Sequence, residues 1–311
     1  MKAIKNKIKH KIIFLGEVNS INLELIINSF NFLKNKSKYY VVGSLPKIEN
    51  YLSKIRNNSN SNIKLKIISD PLNFDSLETN SLNIFDISIA SSKFKELEKQ
   101  IFFSNYISNL TNTDLVTMPI DKSIFKKEIP FNGMTEYLGK LNQCKTMMLM
   151  KGENFSIIPI TTHISIGSAF NSINLKNLNI FFDTFQYLLK KNSDLKSFKK
   201  FKFLCINPHC GEDGIINNKD LMIKKIISNL KINVDAPVAA DSAFIKGYSD
   251  CLFFSTYHDQ ALIPFKILNK KSCNITIGLN YRRISPAHGI AKDIMFKNIS
   301  DNTSYLTCMT I

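Results

Sequence analysis

The sequence predicts an α/β protein built on largely parallel sheets. Two observations carry this expectation. Short apolar runs of strand length alternate with segments of helical periodicity along the whole chain. Most of the apolar runs end in polar, turn-forming residues, as strands do where a sheet hands over to a helix. The length of 311 residues allows one large unit or two domains, and 44% hydrophobic residues supply a substantial core.

The elements follow in order. Lys11 to Glu17 reads as a strand ending in a turn, after which Asn19 or Ser20 caps a helix through Leu23, Leu25, Ile26 and Ile27. Lys38 to Gly43 is a second strand, and Pro46 to Ile55 a helix with proline in its first turn. Asn57 to Asn62 is a polar loop, Ile63 to Ile68 an edge strand, Leu72 to Leu82 a loop, Ile84 to Ala90 a strand and Lys93 to Tyr106 a helix. Asp114 to Lys122 is a buried strand breaking at Pro119, and Thr135 caps a helix to Leu141. Lys145 to Met150 and Phe155 to Ile160 form a hairpin or two neighbouring strands. Leu178, Phe181, Phe182, Phe185 and Leu188 mark one face of a helix over 175–190. Phe203 to Ile206 is a strand, Lys219 to Leu230 a helix, Cys251 to Phe254 a short buried strand and Asn274 to Leu279 another; a helix follows Gly289.

The formal net charge is +16. Its lysines are spread along the chain, with mild clusters at Lys2 to Lys11, Lys190-Lys191 and Lys196 to Lys202. Arginine is scarce and no nucleic-acid motif accompanies them, so a nucleic-acid partner is not expected. A positive field does favour an anionic, phosphorylated substrate. The six cysteines form no C-x-x-C pair, and several sit in apolar runs, as in a reducing compartment rather than a disulfide scaffold. The apolar Ile12 to Leu15 is too short for a signal core, and no run approaches the roughly 20 residues of a membrane span. A cytoplasmic protein without a membrane partner is expected.

No G-x-G-x-x-G, P-loop or G-x-S-x-G elbow is present. The chemistry gathers instead around histidine. Of five, His10 lies in the basic amino-terminal run and is expected to be solvated, whereas His163, His209 and His258 each follow a strand-like run. In open α/β sheets ligands sit beyond the carboxyl ends of strands, and three imidazoles there suit one catalytic divalent ion with an open position. Read alone, His258-Asp259 also fits a capped turn, Asp241 a helix cap before Ser242-Ala243-Phe244, and Asn274 a turn residue. Glu212, Lys122, Lys266 and Arg283 complete the constellation.

The ordered set of T-T-H at Thr161 to His163, N-P-H-x-G-E at Asn207 to Glu212 and A-D-S-x-F at Ala240 to Phe244 is distinctive. It continues with Y-H-D-Q-x-L-I-P-x-K at Tyr257 to Lys266, N-x-T-x-G-L at Asn274 to Leu279 and R-x-S-x-x-H-G at Arg283 to Gly289. V-T-x-P-I-x-K at Val116 to Lys122 and G-x-T-E at Gly133 to Glu136 precede them. Together these closely resemble the 4-hydroxythreonine-4-phosphate dehydrogenase family of pyridoxal phosphate biosynthesis, over nearly the whole chain. The resemblance implies two α/β/α domains like those of the isocitrate and isopropylmalate dehydrogenases. One would span 1–120 plus about 275–311 and the other about 121–274, with the active site in the cleft between them and at a homodimer interface.

The resemblance further implies that His163, His209 and His258 ligate one divalent ion (zinc, magnesium or cobalt), supplied by both subunits. It implies that Met134, Thr135, Lys266, Asn274 and Arg283 hold the phosphorylated substrate, and that His288 and Gly289 contact NAD or NADP. Lys266, Asp241 and Asp259 become the catalytic candidates, the two carboxylates either orienting imidazoles or moving protons. The implied reaction is NAD-linked oxidation of 4-phosphohydroxy-L-threonine at its 3-hydroxyl, with decarboxylation of the β-keto acid to 3-amino-2-oxopropyl phosphate. Two departures stand out. The family's G-H-T-E reads Gly133-Met134-Thr135-Glu136, and its glycine-rich first turn reads Gly16 to Asn22 with one glycine. These leave open a related dehydrogenase of a threonate or erythronate phosphate, or a metal-binding homologue with weakened catalysis.

Overall fold

A computed structural model describes residues 9–55, 63–87 and 91–311. The expected Asn57 to Asn62 loop, the end of the strand expected over 84–90 and the first part of the basic amino-terminal run lie outside the described residues. The elements in chain order are β1 (Lys9–Phe14), α1 (Asn22–Leu33), β2 (Ser37–Gly43), α2 (Leu45–Ile55), β3 (Lys64–Ile67), β4 (Ser81–Asp86), α3 (Lys93–Thr111), β5 (Asp114–Thr117), α4 (Lys122–Lys126) and α5 (Met134–Leu141). They continue with β6 (Met147–Gly152), β7 (Ser156–Pro159), α6 (Ile166–Ser172), α7 (Leu175–Lys191), α8 (Ser193–Lys196), β8 (Lys200–Leu204), α9 (Lys219–Ser228) and β9 (Val234–Val238). Last come β10 (Cys251–Ser255), α10 (His258–Leu268), β11 (Ser272–Ile277), β12 (Arg283–Pro286) and α11 (Thr303–Thr310). Among the described residues no helix is long and apolar enough to cross a membrane.

The chain divides into two compact units, Met1–Leu138 with Leu279–Ile311, and Gly139–Gly278. In the first, the strand order is β3-β4-β2-β1-β5-β12 and every pairing is parallel. β3 stands at the edge, as its alternating Lys and Ile or Leu predict. The core packs Ile12, Phe14, Tyr40 and Val42 from the sheet against Phe94, Leu97 and Ile101 of α3 and Phe125 of α4. α3 begins where the Ser92 hydroxyl accepts the Lys95 amide, at the expected start, but runs beyond the expected Tyr106 to Thr111 and ends on Asn112 in the left-handed conformation.

In the second unit the order is β11-β6-β7-β10-β8-β9. β7, β10, β8 and β9 run parallel, while β6 is antiparallel to both of its neighbours, so the hairpin expected from 145–160 is present as β6 and β7. Phe254 of β10 is fully buried and touches Phe181, Phe182 and Phe185 of α7 together with Phe201 and Phe203 of β8. The helical spacing of the α7 phenylalanines is what lays that row along one face. Phe155 gathers Phe244, Tyr248, Phe253 and Phe265 in a second aromatic group.

Several expectations are corrected. α1 begins after Ile21 rather than on a side-chain cap at Asn19 or Ser20, although the Ser20 hydroxyl still accepts the Asn22 amide. Thr135 lies inside α5, whose first residue is Met134, and is not its cap. Pro264 sits within α10, offering no N–H to the carbonyl one turn back while the helix runs on to Leu268. Asp241 lies within turns closed on the Ala239 carbonyl and caps no helix. Gly289 is followed by a single 3-10 turn, Lys292–Ile294, and the helix comes later as α11. His10 is half-buried rather than fully solvated: it lies in β1, and its ring stacks on Phe74 at 5.0 Å. Cys205 and Cys210 are joined as a disulfide, which their sequence neighbourhood did not suggest.

Because Phe254 meets five other rings, truncating it leaves a cavity that neighbouring side chains cannot collapse into. Phe254→Ala is expected to lower stability by about 3–5 kcal/mol, read from urea denaturation followed by circular dichroism.

Candidate active site

β10 pairs in parallel with β7 on one side and β8 on the other, so the three carboxyl ends emerge at one edge of the second unit. Each leads to a histidine. β7 passes through Ile160, Thr161 and Thr162 to His163, whose φ of 47° is left-handed. β8 passes through Cys205 to Asn207 and Pro208 before His209. β10 passes through Thr256 and Tyr257 to His258, the first residue of α10. The rings of His163 and His258 stand 5.7 Å apart, centroid to centroid, at an interplanar angle of 40°. The His258 Nδ1 faces Asp259 Oδ1 at 2.7 Å. With that nitrogen donating to the carboxylate, Nε2 keeps its lone pair free for a ligand.

His209 sits in an unusual segment. Residues 209–213 all have positive φ, at 49°, 55°, 78°, 46° and 54°. The disulfide closes the segment at Cys210, and Asp220 anchors its start by accepting from the Ile206 and Asn207 amides and from the Asn207 side chain. Among the described residues no group of three or more His, Cys, Asp or Glu side chains stands close enough to hold a metal ion. The single chain thus brings His163 and His258 together and leaves His209 apart from that pair. Asp241 and Lys266 are exposed, the first on a turn and the second on α10. Asn274 lies on β11, not in a turn, and its Oδ1 is buried with no hydrogen-bond partner among the described residues.

The first unit holds the other candidates. Arg283 on β12 is 5% exposed, and its Nε donates to the Thr117 hydroxyl at 2.8 Å. Burial pulls its pKa down to about 10, which still leaves the guanidinium charged at neutral pH. Lys122 is also held below its ordinary value, by desolvation first, then by Lys126 and Arg283, against an opposing pull from Glu136. A buried guanidinium with the exposed Lys122 close enough to feel it is an environment that suits an anion, and Thr135 of the same unit is also buried. Met134 packs on the edge of this unit's core.

The first turn is rebuilt around Asn22. Gly16 has φ +70°, and a Cβ there would lie 2.7 Å from the Pro119 carbonyl oxygen and 2.9 Å from that of Met118, so this one glycine is required. The buried Asn22 amide donates to the carbonyls of Leu15, Glu17 and Pro119. A cavity of about 410 Å³ opens beside the turn, lined by Glu17, Lys47, Tyr51, Lys93 and Phe296 among others. The Ile21 amide donates to the Ile290 carbonyl, tying the turn to the segment that follows His288 and Gly289. The His288 Nδ1 lies 2.8 Å from the Gly289 carbonyl, and its buried Nε2 has no hydrogen-bond partner among the described residues.

The family model for the pyridoxal phosphate biosynthetic protein PdxA matches residues 36–311. The chain belongs to the PdxA family. A relative from Sulfurihydrogenibium, named 4-hydroxythreonine-4-phosphate dehydrogenase, is 27% identical over 96% of each chain. One of the same name from Campylobacter fetus is 28% identical over 94% of each. The solved structure of a 4-hydroxythreonine-4-phosphate dehydrogenase from Klebsiella pneumoniae shares the fold, with a TM-score of 0.79 at 22% identity over 97% of each chain. The motifs in the sequence therefore point to the right family. Thr161 and Gln260 fall inside those motifs and Thr256 lies just before one, but the motifs do not say that bonds of these three residues join the strand ends of this PdxA member. Polar residues at turns carry no signal for which backbone group they will meet.

Desolvation keeps the pKa of His288 below its ordinary value, opposed by its bond to Gly289 and by Asp301. Between that lowered value and about 6.5 the unfolded chain binds a proton that the folded chain refuses, so acidification through this window removes stability. His288→Gln is expected to narrow the difference between urea midpoints measured at about pH 7.5 and about pH 5.5.

Proposed function

We propose that this PdxA-family chain is a metal-dependent, NAD- or NADP-linked dehydrogenase acting on 4-phosphohydroxy-L-threonine at its 3-hydroxyl. The product is a β-keto acid that loses carbon dioxide to give 3-amino-2-oxopropyl phosphate. The observation that carries this reading is the pairing of His163 with His258 at one edge of parallel strands, in a chain of this family. The donor set fits a divalent ion such as zinc, magnesium or cobalt. Two imidazoles with centroids 5.7 Å apart allow one nitrogen of each to approach a shared ion at roughly 2.0–2.1 Å. Asp259 holds one of those rings in a single tautomer. His209 is assigned as the third ligand, with both copies of a homodimer contributing to each site.

When bound, the ion supplies Lewis-acid stabilisation of the reacting oxygen, and the nicotinamide supplies a hydride acceptor. The chain's own residues do the rest. Arg283 and Thr135, with Lys266 and Asn274, hold the phosphate and carboxylate of the substrate; the planar guanidinium suits bidentate recognition of either. Lys266 and Asp241 are put forward for proton transfer at the substrate hydroxyl, and Asp259 for orienting His258. His288 and Gly289 are assigned to the nicotinamide cofactor, supported by the unpartnered Nε2.

Purified protein supplied with zinc, magnesium or cobalt should reduce NAD or NADP with this substrate, followed by absorbance of the reduced nicotinamide; silence with every metal would sink the reading. His258→Ala is expected to abolish turnover and to remove most bound metal, measured by plasma emission. Arg283→Lys is expected to raise KM about tenfold or more, since one charge-assisted bond of about 1.5–3 kcal/mol is lost. A second reading is favoured by Met134, whose thioether packs on the core where the family motif has an imidazole. It assigns the same chemistry to a threonate or erythronate phosphate. A substrate panel run with Met134→His separates the two.

A further inference from the structure

The three strand ends that carry the histidines are joined by one buried hydrogen-bonded strap. From β7, the Ile160 amide donates to the Ser255 carbonyl at 2.8 Å, and the Thr161 hydroxyl donates to the Thr256 carbonyl at 2.7 Å. Thr256, at the end of β10, donates from its amide and its hydroxyl to Gln260 Oε1, at 2.9 and 2.8 Å. The Gln260 Nε2 donates in turn to the Cys205 carbonyl at the end of β8. The Cys205 amide donates to the Val238 carbonyl at 2.9 Å, carrying the strap on to β9. Thr161, Thr256 and Cys205 are all buried. His163 comes two residues after Thr161, His258 two after Thr256, His209 four after Cys205, and Asp241 three after Val238.

We infer that Gln260 is a positioning residue: its amide fixes the spacing between the loop bearing His209 and the turn bearing His258, and thereby the metal affinity of the histidine set. The inference rests on the assignment of those histidines as ligands in the proposed function. The geometry assigns the task to Gln260 because its side chain is the link that spans β10 and β8 beyond the ends of their ladder. The ladder itself stops at Phe254 paired with Phe203, and the strands diverge into separate loops from there. An amide suits the place because its oxygen accepts twice while its nitrogen donates in another direction; an ionised carboxylate cannot donate, and a hydroxyl has a single atom for both tasks.

The test compares three variants of the full chain, stripped of metal and titrated with zinc by calorimetry below their unfolding temperatures. Gln260→Met keeps the length of the side chain and removes both functions. Gln260→Glu keeps the acceptor for Thr256 and removes the donor to Cys205. Asn269→Leu is the control. Its buried amide also braces loops, accepting from the Asn154 and Phe155 amides, but it does so next to the start of β7, away from the histidines. Gln260→Met is expected to bind zinc roughly 10- to 100-fold more weakly, and Gln260→Glu to fall between it and the unaltered chain. Asn269→Leu is expected to lose stability yet bind zinc normally. Thr161→Val, which removes one hydroxyl from the same strap, gives a milder cut should Gln260→Met not fold, and is expected to weaken zinc several-fold. Normal zinc affinity in the Gln260 variants, or equal weakening in Asn269→Leu, would overturn the positioning role. Failure of the unaltered chain to take up zinc would overturn the ligand assignment itself, and the strap's role with it.

Discussion

The candidate site depends on the parallel pairing of β10 with both β7 and β8. Parallel neighbours deliver their carboxyl ends to the same edge, so residues distant in sequence meet without any local spacing rule. An antiparallel β7 would send His163 to the opposite edge from His258. What holds the pairing is apolar. β10 is buried along its whole length, and Phe254 is packed by rings from α7 on the helix side and from β8 beside it. The aromatic core and the polar edge are thus two consequences of one strand. The strand and Thr256 after it are buried, and the chain becomes partly exposed at Tyr257 and His258.

The first unit solves a different problem, keeping a guanidinium charged while almost no solvent reaches it. Arg283 is anchored by the Thr117 hydroxyl on the neighbouring strand, and Glu136 lies close enough to oppose the repulsion among Lys122, Lys126 and Arg283. Desolvated cations gain more from an anion than solvated ones do, because the water that would screen the pair is already gone. A second buried cation, Lys11, pairs directly with Asp114 at 3.0 Å. That arrangement satisfies the charge internally and leaves nothing for a ligand.

The altered first turn illustrates how a family feature can change its chemistry and keep its shape. Where the family pattern has several glycines, this chain keeps Gly16 alone, at the one position with positive φ and carbonyl oxygens too close for a side chain. The rest of the turn is held by the Asn22 amide and by Glu17, which is buried and paired with Lys93. Side-chain hydrogen bonds have taken over work that conformational freedom does elsewhere. Met134 shows the reverse case. A group able to hydrogen-bond is replaced by one that packs on apolar neighbours, so the local shape persists and a polar contact does not.

The sequence by itself determined the alternating α/β order, the buried β10, the edge position of β3, the phenylalanine face of α7 and the family. All of these follow from periodicity or from ordered motifs, which are local properties of a chain. Only the tertiary structure decided which residues meet: that the His163 ring faces His258, that Gln260 reaches the Cys205 carbonyl, that Cys210 bonds to Cys205, and that His10 stacks on Phe74. It also decided that α10 runs through Pro264 and that Thr135 lies inside its helix, since packing outweighs the weak preferences of single residues at helix ends. The physical reason is the same throughout. A polar side chain satisfies its hydrogen bonds with whatever the fold brings near, and nearness is set by strand order, which no short stretch of sequence encodes.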